Sequence, residues 1–263
     1  MSKLIIPTVK SIKSDDSKSS TITIAPLQSG YGRTLGNSIR RVLLSSIPGA
    51  GVTGFSIEGV SNEFSTIDGV LEDVVDITLA IKQLRFSSEN EEPVVLQISK
   101  KGKGEVTGAD ISKQSGIEVA NPDLVICHLT DSKSSINIEL QVEKGVDYLR
   151  AAEQQNLPTN MIPLDTVFSP VTRVRFQVKD TREGQNTKLD ELSIVIDTDG
   201  SITAENAFET ACGTLMQQYQ ILAGKAADSF DLTEQINEGT LSPSKDEENE
   251  YLTKSIEDID MKA

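Results

Sequence analysis

One stretch constrains this 263-residue chain more than any other: Gly30 to Pro48, GYGRTLGNSIRRVLLSSIP. Three glycines punctuate its start, and a two-faced helical pattern follows. At about 100° per residue, Leu35, Ile39, Val42, Leu43 and Ile47 gather on one broad face. Arg33, Asn37, Arg40 and Arg41 gather on another, with Leu44 in its middle. An apolar residue ringed by arginines and an amide has the composition of an interface patch. The plainer reading is a surface helix with one stray leucine. Pro48-Gly49 supplies the stop.

Gly30, Gly32 and Gly36 follow a strand-like run and open the helix, which is the setting of a phosphate-binding loop. The spacing is G-x-G-x-x-x-G rather than G-x-G-x-x-G, and no G-K-[ST] follows. A tight strand-to-helix turn with close packing fits better. A nucleotide-binding enzyme using the Gly30 loop is the lesser alternative.

Around this helix the chain reads as α+β. Leu4–Val9 and Thr21–Leu27 are strand-like and pair as a hairpin across the polar turn Ser14–Ser20. Ala50–Phe64 reads as a strand. A second helix is predicted from Asp68, its N-cap, with Val70, Val74, Ile77, Ile81 and Leu84 on one face. Glu72, Asp73 and Asp76 fall opposite, with Lys82 and Arg85 in the last turn. Val94–Ile98, Gly104–Thr107, Leu124–Leu129 and Ser135–Glu143 are short strands, and the Pro-containing 145–170 stretch connects. Val174, Phe176 and Val178 alternate inward with Arg173, Arg175 and Gln177 outward, and Leu189–Asp197 returns across Asp180–Lys188. Thr203 caps a last long helix. Its wide apolar stripe (Ala207, Phe208, Ala211, Cys212, Leu215, Met216, Tyr219, Leu222) fits either a core or a dimer seam.

Charge and composition narrow the function. The formal charge is −15, and seven net negatives lie in the 39 residues from Lys225 to Ala263. An acidic chain does not hold nucleic acid by itself. With no Trp and 4% aromatics, base-stacking platforms are not expected either. No apolar run spans a membrane, and the N-terminus lacks a secretory signal. Cys127 and Cys212 give neither a disulfide framework nor metal spacing, which fits a reduced cytoplasmic compartment. Ser242–Glu250 reads as a solvated linker.

The candidate reactive groups have plainer readings. Cys127-His128 sits in a strand, where neighbours point to opposite faces, so a structural pair is expected rather than a nucleophile and its base. Glu72, Asp73 and Asp76 lack a companion ligand group and form a charged helix face or a contact surface. KKGKGEV, residues 100–106, reads as a polar hairpin tip with weak phosphate potential. Nothing supports covalent or acid–base catalysis.

GYGRTLGNSIRRVLLSSIPGAGVT resembles the signature helix of the bacterial RNA polymerase α-subunit family, G-x-G-x-T-L-G-N-x-x-R-R-x-L-L-S-S. EFSTIDGVLEDVVDITLAIKQL, KKGKGEVTGADI, NPDLVICHLTD and SPVTRVRFQVKDTREGQNTKLDELSIVIDTDGSITAENAF resemble later family segments, so the resemblance spans Leu4 to Gly224. It implies a discontinuous dimerisation subdomain (1–48 and 165–225) of a sheet and two long helices. A mostly β insert (49–164) and a flexible acidic tail (226–263) complete the chain. It further implies a homodimeric scaffold that nucleates assembly with β and β′ for DNA-templated RNA synthesis, with ω and sigma joining in the holoenzyme. A stand-alone regulatory dimer on the same fold is the alternative.

By the same resemblance, Arg41 and Leu44 engage β, with Arg40 and Asn37 beside them and Asp68, Glu72 and Asp73 nearby. Lys82, Val174 and Asp190 lie toward β′. Leu35, Ile39, Leu43, Phe208 and Leu215 form the dimer seam. The Mg²⁺ and Zn²⁺ of the polymerase belong to other subunits, and this chain carries no cofactor and no catalytic residue of its own. The resemblance places it in the bacterial cytoplasm with the nucleoid. The family continues into a domain that reads promoter DNA. KSIEDIDMKA resembles the entry to that domain and the sequence stops there, at Ala263, so DNA and activator binding are not carried over.

Overall fold

The computed structural model describes residues 6–16, 18–60, 62–154, 157–184 and 186–223. Contacts divide the chain into two units, 1–218 and 219–263. The acidic tail lies outside the described residues, as do Leu4 and Ile5. Of the second unit, only residues 219–223 are described, as helix, with Tyr219, Ile221 and Leu222 exposed.

The first unit opens with β1 (Thr8–Asp16) and β2 (Ser19–Gln28), then α1 (Tyr31–Ser45) and β3 (Gly49–Ile57). Next come α2 (Val74–Ile81), β4 (Phe86–Ser88), β5 (Val94–Lys101), β6 (Gly104–Thr107), β7 (Ile117–Val119), β8 (Val125–Leu129) and β9 (Ser135–Gly145). Three two-residue strands follow, β10 (Tyr148–Leu149), β11 (Ile162–Pro163) and β12 (Thr166–Val167). The long hairpin β13 (Val171–Glu183) and β14 (Asn186–Thr198) leads into α3 (Ala204–Ala223). The architecture is α+β, with three α-helices among the described residues.

Two buried clusters organise it. Ile22, Ile24, Leu27, Ile39, Leu43, Val174, Leu192, Ile194, Ile196, Ala204, Ala207 and Ala211 form one, beneath a sheet ordered β1-β2-β14-β13. Sequence-distant segments meet here because β2 pairs with β14, setting Ile22 opposite Ile194. The second cluster draws only on residues 50–164, with Phe55, Ile77, Phe86, Leu96, Ile138 and Leu140 at its centre. Its sheet runs β5-β9-β3-β4-β7, with β11 on β3, and β6 pairs separately with β8.

Several elements differ from the sequence reading. The second helix opens at Val74, not Asp68, because Gly69 sits at φ 81° and Val70 bridges to Leu129. A left-handed residue cannot lie inside a right-handed helix. The helix ends at Ile81, with Lys82 as its C-cap, and Arg85 lies beyond it. Residues 100–106 are not a hairpin tip: β5 pairs with β9 and β6 with β8, so the segment is a corner between two sheets. Left-handed Gly102 and the Lys100–Asp110 ion pair (2.6 Å) shape that corner. The first hairpin turns later than expected, with Ser14 to Asp16 still in β1. The last hairpin runs to Glu183 and Asn186 rather than turning across 180–188. β3 stops at Ile57.

Candidate subunit interface

The geometry of α1 follows from its glycines. Its buried line is Gly32, Gly36, Ile39 and Leu43. A Cβ on Gly32 would lie 2.7 Å from Val178 Cγ1, and one on Gly36 2.6 Å from the Phe176 ring. The helix thus lies directly on the β13–β14 hairpin, at a distance only glycine permits. Gly30, at φ 86°, makes the turn into it. The amides of Gly30 and Gly32 donate to one oxygen of Asp190, at 2.9 and 3.1 Å. That carboxylate holds the place an anion would take at a helix N-terminus. A phosphate enters only by displacing it, so the nucleotide-loop alternative fails on this geometry.

This packing corrects four of the interface residues. Ile39 and Leu43 are buried in the chain's own core, at 4% and 0% exposure, and offer nothing to a dimer mate. Val174 is likewise core, and Asp190 is turned inward onto α1. In each case the sequence pattern identified an apolar face or a hairpin position without showing what already covers it. Leu35, Phe208 and Leu215 remain half-buried at the margin of the core, together with Val42.

The outward face of α1 is what the pattern describes. Arg33, Asn37, Arg40, Arg41 and Leu44 are all exposed. Among the described residues the arginines make no ion pair. Three exposed cations on one helix face, with no carboxylate in ion-pair reach among the described residues, make a strongly positive patch.

The acidic segment before α2 divides differently. Asp68 is exposed in a turn, and Asp73 caps α2 by accepting from the Asp76 amide at 2.7 Å. Glu72 is not a free surface carboxylate. It accepts from the His128 amide at 2.7 Å and pairs with His128 Nδ1 at 2.5 Å, so its side chain is held by β8. Burial opposes ionisation of Glu72, but the backbone and side-chain bonds from His128 outweigh it and lower its pKa. The bond to Glu72 in turn raises that of His128, with Glu105 3.8 Å from Nε2 adding to it. Sequence reading missed this pair, since the partners are 56 positions apart. Cys127 does point the other way, fully buried, and burial pushes its thiol up to about 12.

Lys82 lies 3.8 Å from Asp165 at a shallow cleft that also includes Tyr148 and Val167, both exposed. Among the described residues no three His, Cys, Asp or Glu side chains converge as a metal site. No described helix is long and apolar enough to cross a membrane.

Two buried cores, a helix whose outer-face arginines make no ion pair among the described residues, and a chain that returns to its first sheet after a long insert define an α+β protein. Residues 55–169 match the family described as the RNA polymerase Rpb3/RpoA insert domain. The chain is 39% identical over 258 residues to the DNA-directed RNA polymerase subunit alpha of Oceanobacillus iheyensis, covering 97% of this chain and 80% of the relative. That of Roseiflexus sp. is 48% identical over 200 residues, 76% of this chain and 62% of the relative. That of Leifsonia xyli subsp. xyli is 42% identical over 244 residues, 92% and 72%. The chain belongs to the family of DNA-directed RNA polymerase α subunits.

Proposed function

We propose that this chain is the assembly scaffold of a bacterial RNA polymerase, acting as a homodimer that recruits β and β′. The observation that carries this reading is the division of α1: its glycine-lined face is used up inside the protomer, while the side chains of Arg40, Arg41, Asn37 and Leu44 face outward and the arginines make no ion pair among the described residues. Arginine is enriched among binding hot spots, and here Arg40 and Arg41 stand one turn before the exposed Leu44. In this reading that patch, with Asp68 and Asp73, meets β, and Lys82 meets β′. The dimerisation subdomain is 1–48 with 165–225, and the insert is 49–164. Leu35, Phe208 and Leu215 border the dimer seam, which extends onto exposed Met216.

Co-purification of the full chain with β and β′ tests this. A stoichiometric complex is expected, and its absence removes the scaffold reading in favour of a stand-alone regulatory dimer. Arg41→Ala is expected to leave the dimer intact and weaken β recovery, because the exposed guanidinium makes no ion pair among the described residues. Leu215→Asp is expected to shift the dimer toward monomer by placing an unpaired charge in the seam. If the same variant unfolds instead, Leu215 belongs to the core alone.

A further inference from the structure

The sheet ordered β1-β2-β14-β13 ends on β13, which among the described residues pairs with β14 alone. In an antiparallel pair each strand turns alternate N–H and C=O groups to its one neighbour and leaves the others facing outward. β13 is 13 residues long, and among the described residues no backbone bond reaches the outer side of Arg173 to Asp180. The edge formed by β5 is different. There the Ser112 amide donates to Gln97 O at 2.8 Å, Ile98 bridges to Ile111, and Lys100 holds Asp110, so the chain covers its own edge.

The side chains of β13 tell what covers the open edge. On the core side Phe176 and Val178 are only half-buried, whereas Leu192 and Ile194, one strand further in, are fully buried. On the solvent side stand Arg173, Arg175, Gln177 and Lys179, all exposed. Arg173 is taken by Asp197 at 2.6 Å. Arg175 and Lys179, two strand repeats apart on one face, make no ion pair among the described residues. A second copy of this edge would set cation against cation, which is how natural sheets block self-pairing. An extended segment with Asp or Glu at alternate positions sets carboxylates opposite both.

We propose that β13 receives an extended acidic segment of a partner polypeptide as an added strand. This rests on the scaffold reading above, with β′ as the partner that supplies the segment, and it names the mode of contact: backbone pairing supplies the affinity, and Arg175 and Lys179 select the acidic sequence.

The test is hydrogen–deuterium exchange read residue by residue over 173–181, comparing the free chain with the complex assembled with full-length β and β′. The amides bonded to β14 exchange slowly in both states. The alternate set is expected to slow by roughly tenfold or more only in the complex, a period-two pattern that side-chain docking does not produce. If β′ is recovered in full and the alternate set stays fast, strand addition is wrong and the scaffold reading stands. If β′ is not recovered, the scaffold reading falls and takes this inference with it. Protection that grows with concentration of the free chain names a second copy as the occupant and overturns the acidic-partner proposal. Arg175→Glu with Lys179→Glu is expected to reduce β′ recovery roughly tenfold with β recovery kept. Unchanged β′ recovery overturns the selection by charge.

Discussion

Both α1 and α2 are closed at the N-terminus by an aspartate, but the aspartates come from very different distances. Asp73 stands immediately before α2 and accepts from the Asp76 amide. Asp190 comes from β14, 160 positions after Gly30, and accepts from two amides at the head of α1. A local cap fixes where a helix begins. A cap delivered from another element fixes where the helix lies, because it forms only when α1 is seated on the hairpin. The exposed arginines of α1 are therefore aimed by a residue that none of them touches.

The comparison breaks first at Asp190. Asp190→Ala leaves the Gly30 and Gly32 amides without their acceptor, one of them in a buried bond. A loss of about 2–3 kcal/mol in urea unfolding is expected. Asp190→Asn, which keeps a carbonyl acceptor, should lose clearly less. Equal losses for the two would mean the charge rather than the acceptor seats the helix.

Gly36→Ala tests the same seating from the other side. Its Cβ would fall 2.6 Å from the Phe176 ring, so the ring or the helix must move. Overpacking of this kind costs about 1–3 kcal/mol, against the better helix propensity of alanine. Phe176→Leu in the same chain should recover part of the loss. No recovery would show that Phe176 is not what limits the approach.

At α2 the expected effect is smaller. Asp73→Ala removes one local cap and should cost about 1 kcal/mol. Asp68→Ala, at the position the sequence pattern favours as cap, should stay within about 0.5 kcal/mol. Reversed magnitudes would restore the earlier helix start.

What was legible in the sequence follows the same division. The two faces of α1, the inward alternation of Val174, Phe176 and Val178, and the Thr203 cap (3.2 Å to the Asn206 amide) are local patterns, and each appears in the structure. The start of α2 differs from the pattern because Asp68-Gly69 and Asp73 both carry cap chemistry, and the left-handed Gly69 with the pairing of Val70 to β8 decides between them. The role of Asp190, the Glu72–His128 pair and the sheet-to-sheet corner at 100–106 all depend on partners far along the chain. For the same reason Ile39 and Leu43, which the resemblance assigns to the seam, are core: the hairpin beneath them is far along the chain. Periodicity marks a face and leaves its occupant unnamed.

The smallest effect, and the one most particular to α2, is on pH. Glu72 and His128 tie the lead-in of α2 to β8, and the Leu71 amide bonds His128 O at 3.0 Å beside them. His128 is raised above its ordinary 6.5, chiefly by the bond to Glu72. Its contribution to stability is therefore complete below that value and is lost as pH rises through the raised pKa. Glu72 is lowered below 4.5, so its contribution is complete above that value and is lost as pH falls through the lowered pKa. The link between α2 and β8 is strongest between the two. His128 is the chain's single histidine, so one imidazole signal in an NMR titration of the full chain reports it without overlap. Glu72→Gln should bring that titration back down toward the ordinary value and loosen exchange at the Leu71 amide. An unchanged titration would assign the shift to Glu105, which faces Nε2 from β6, and would leave the lead-in of α2 held by its backbone bonds alone.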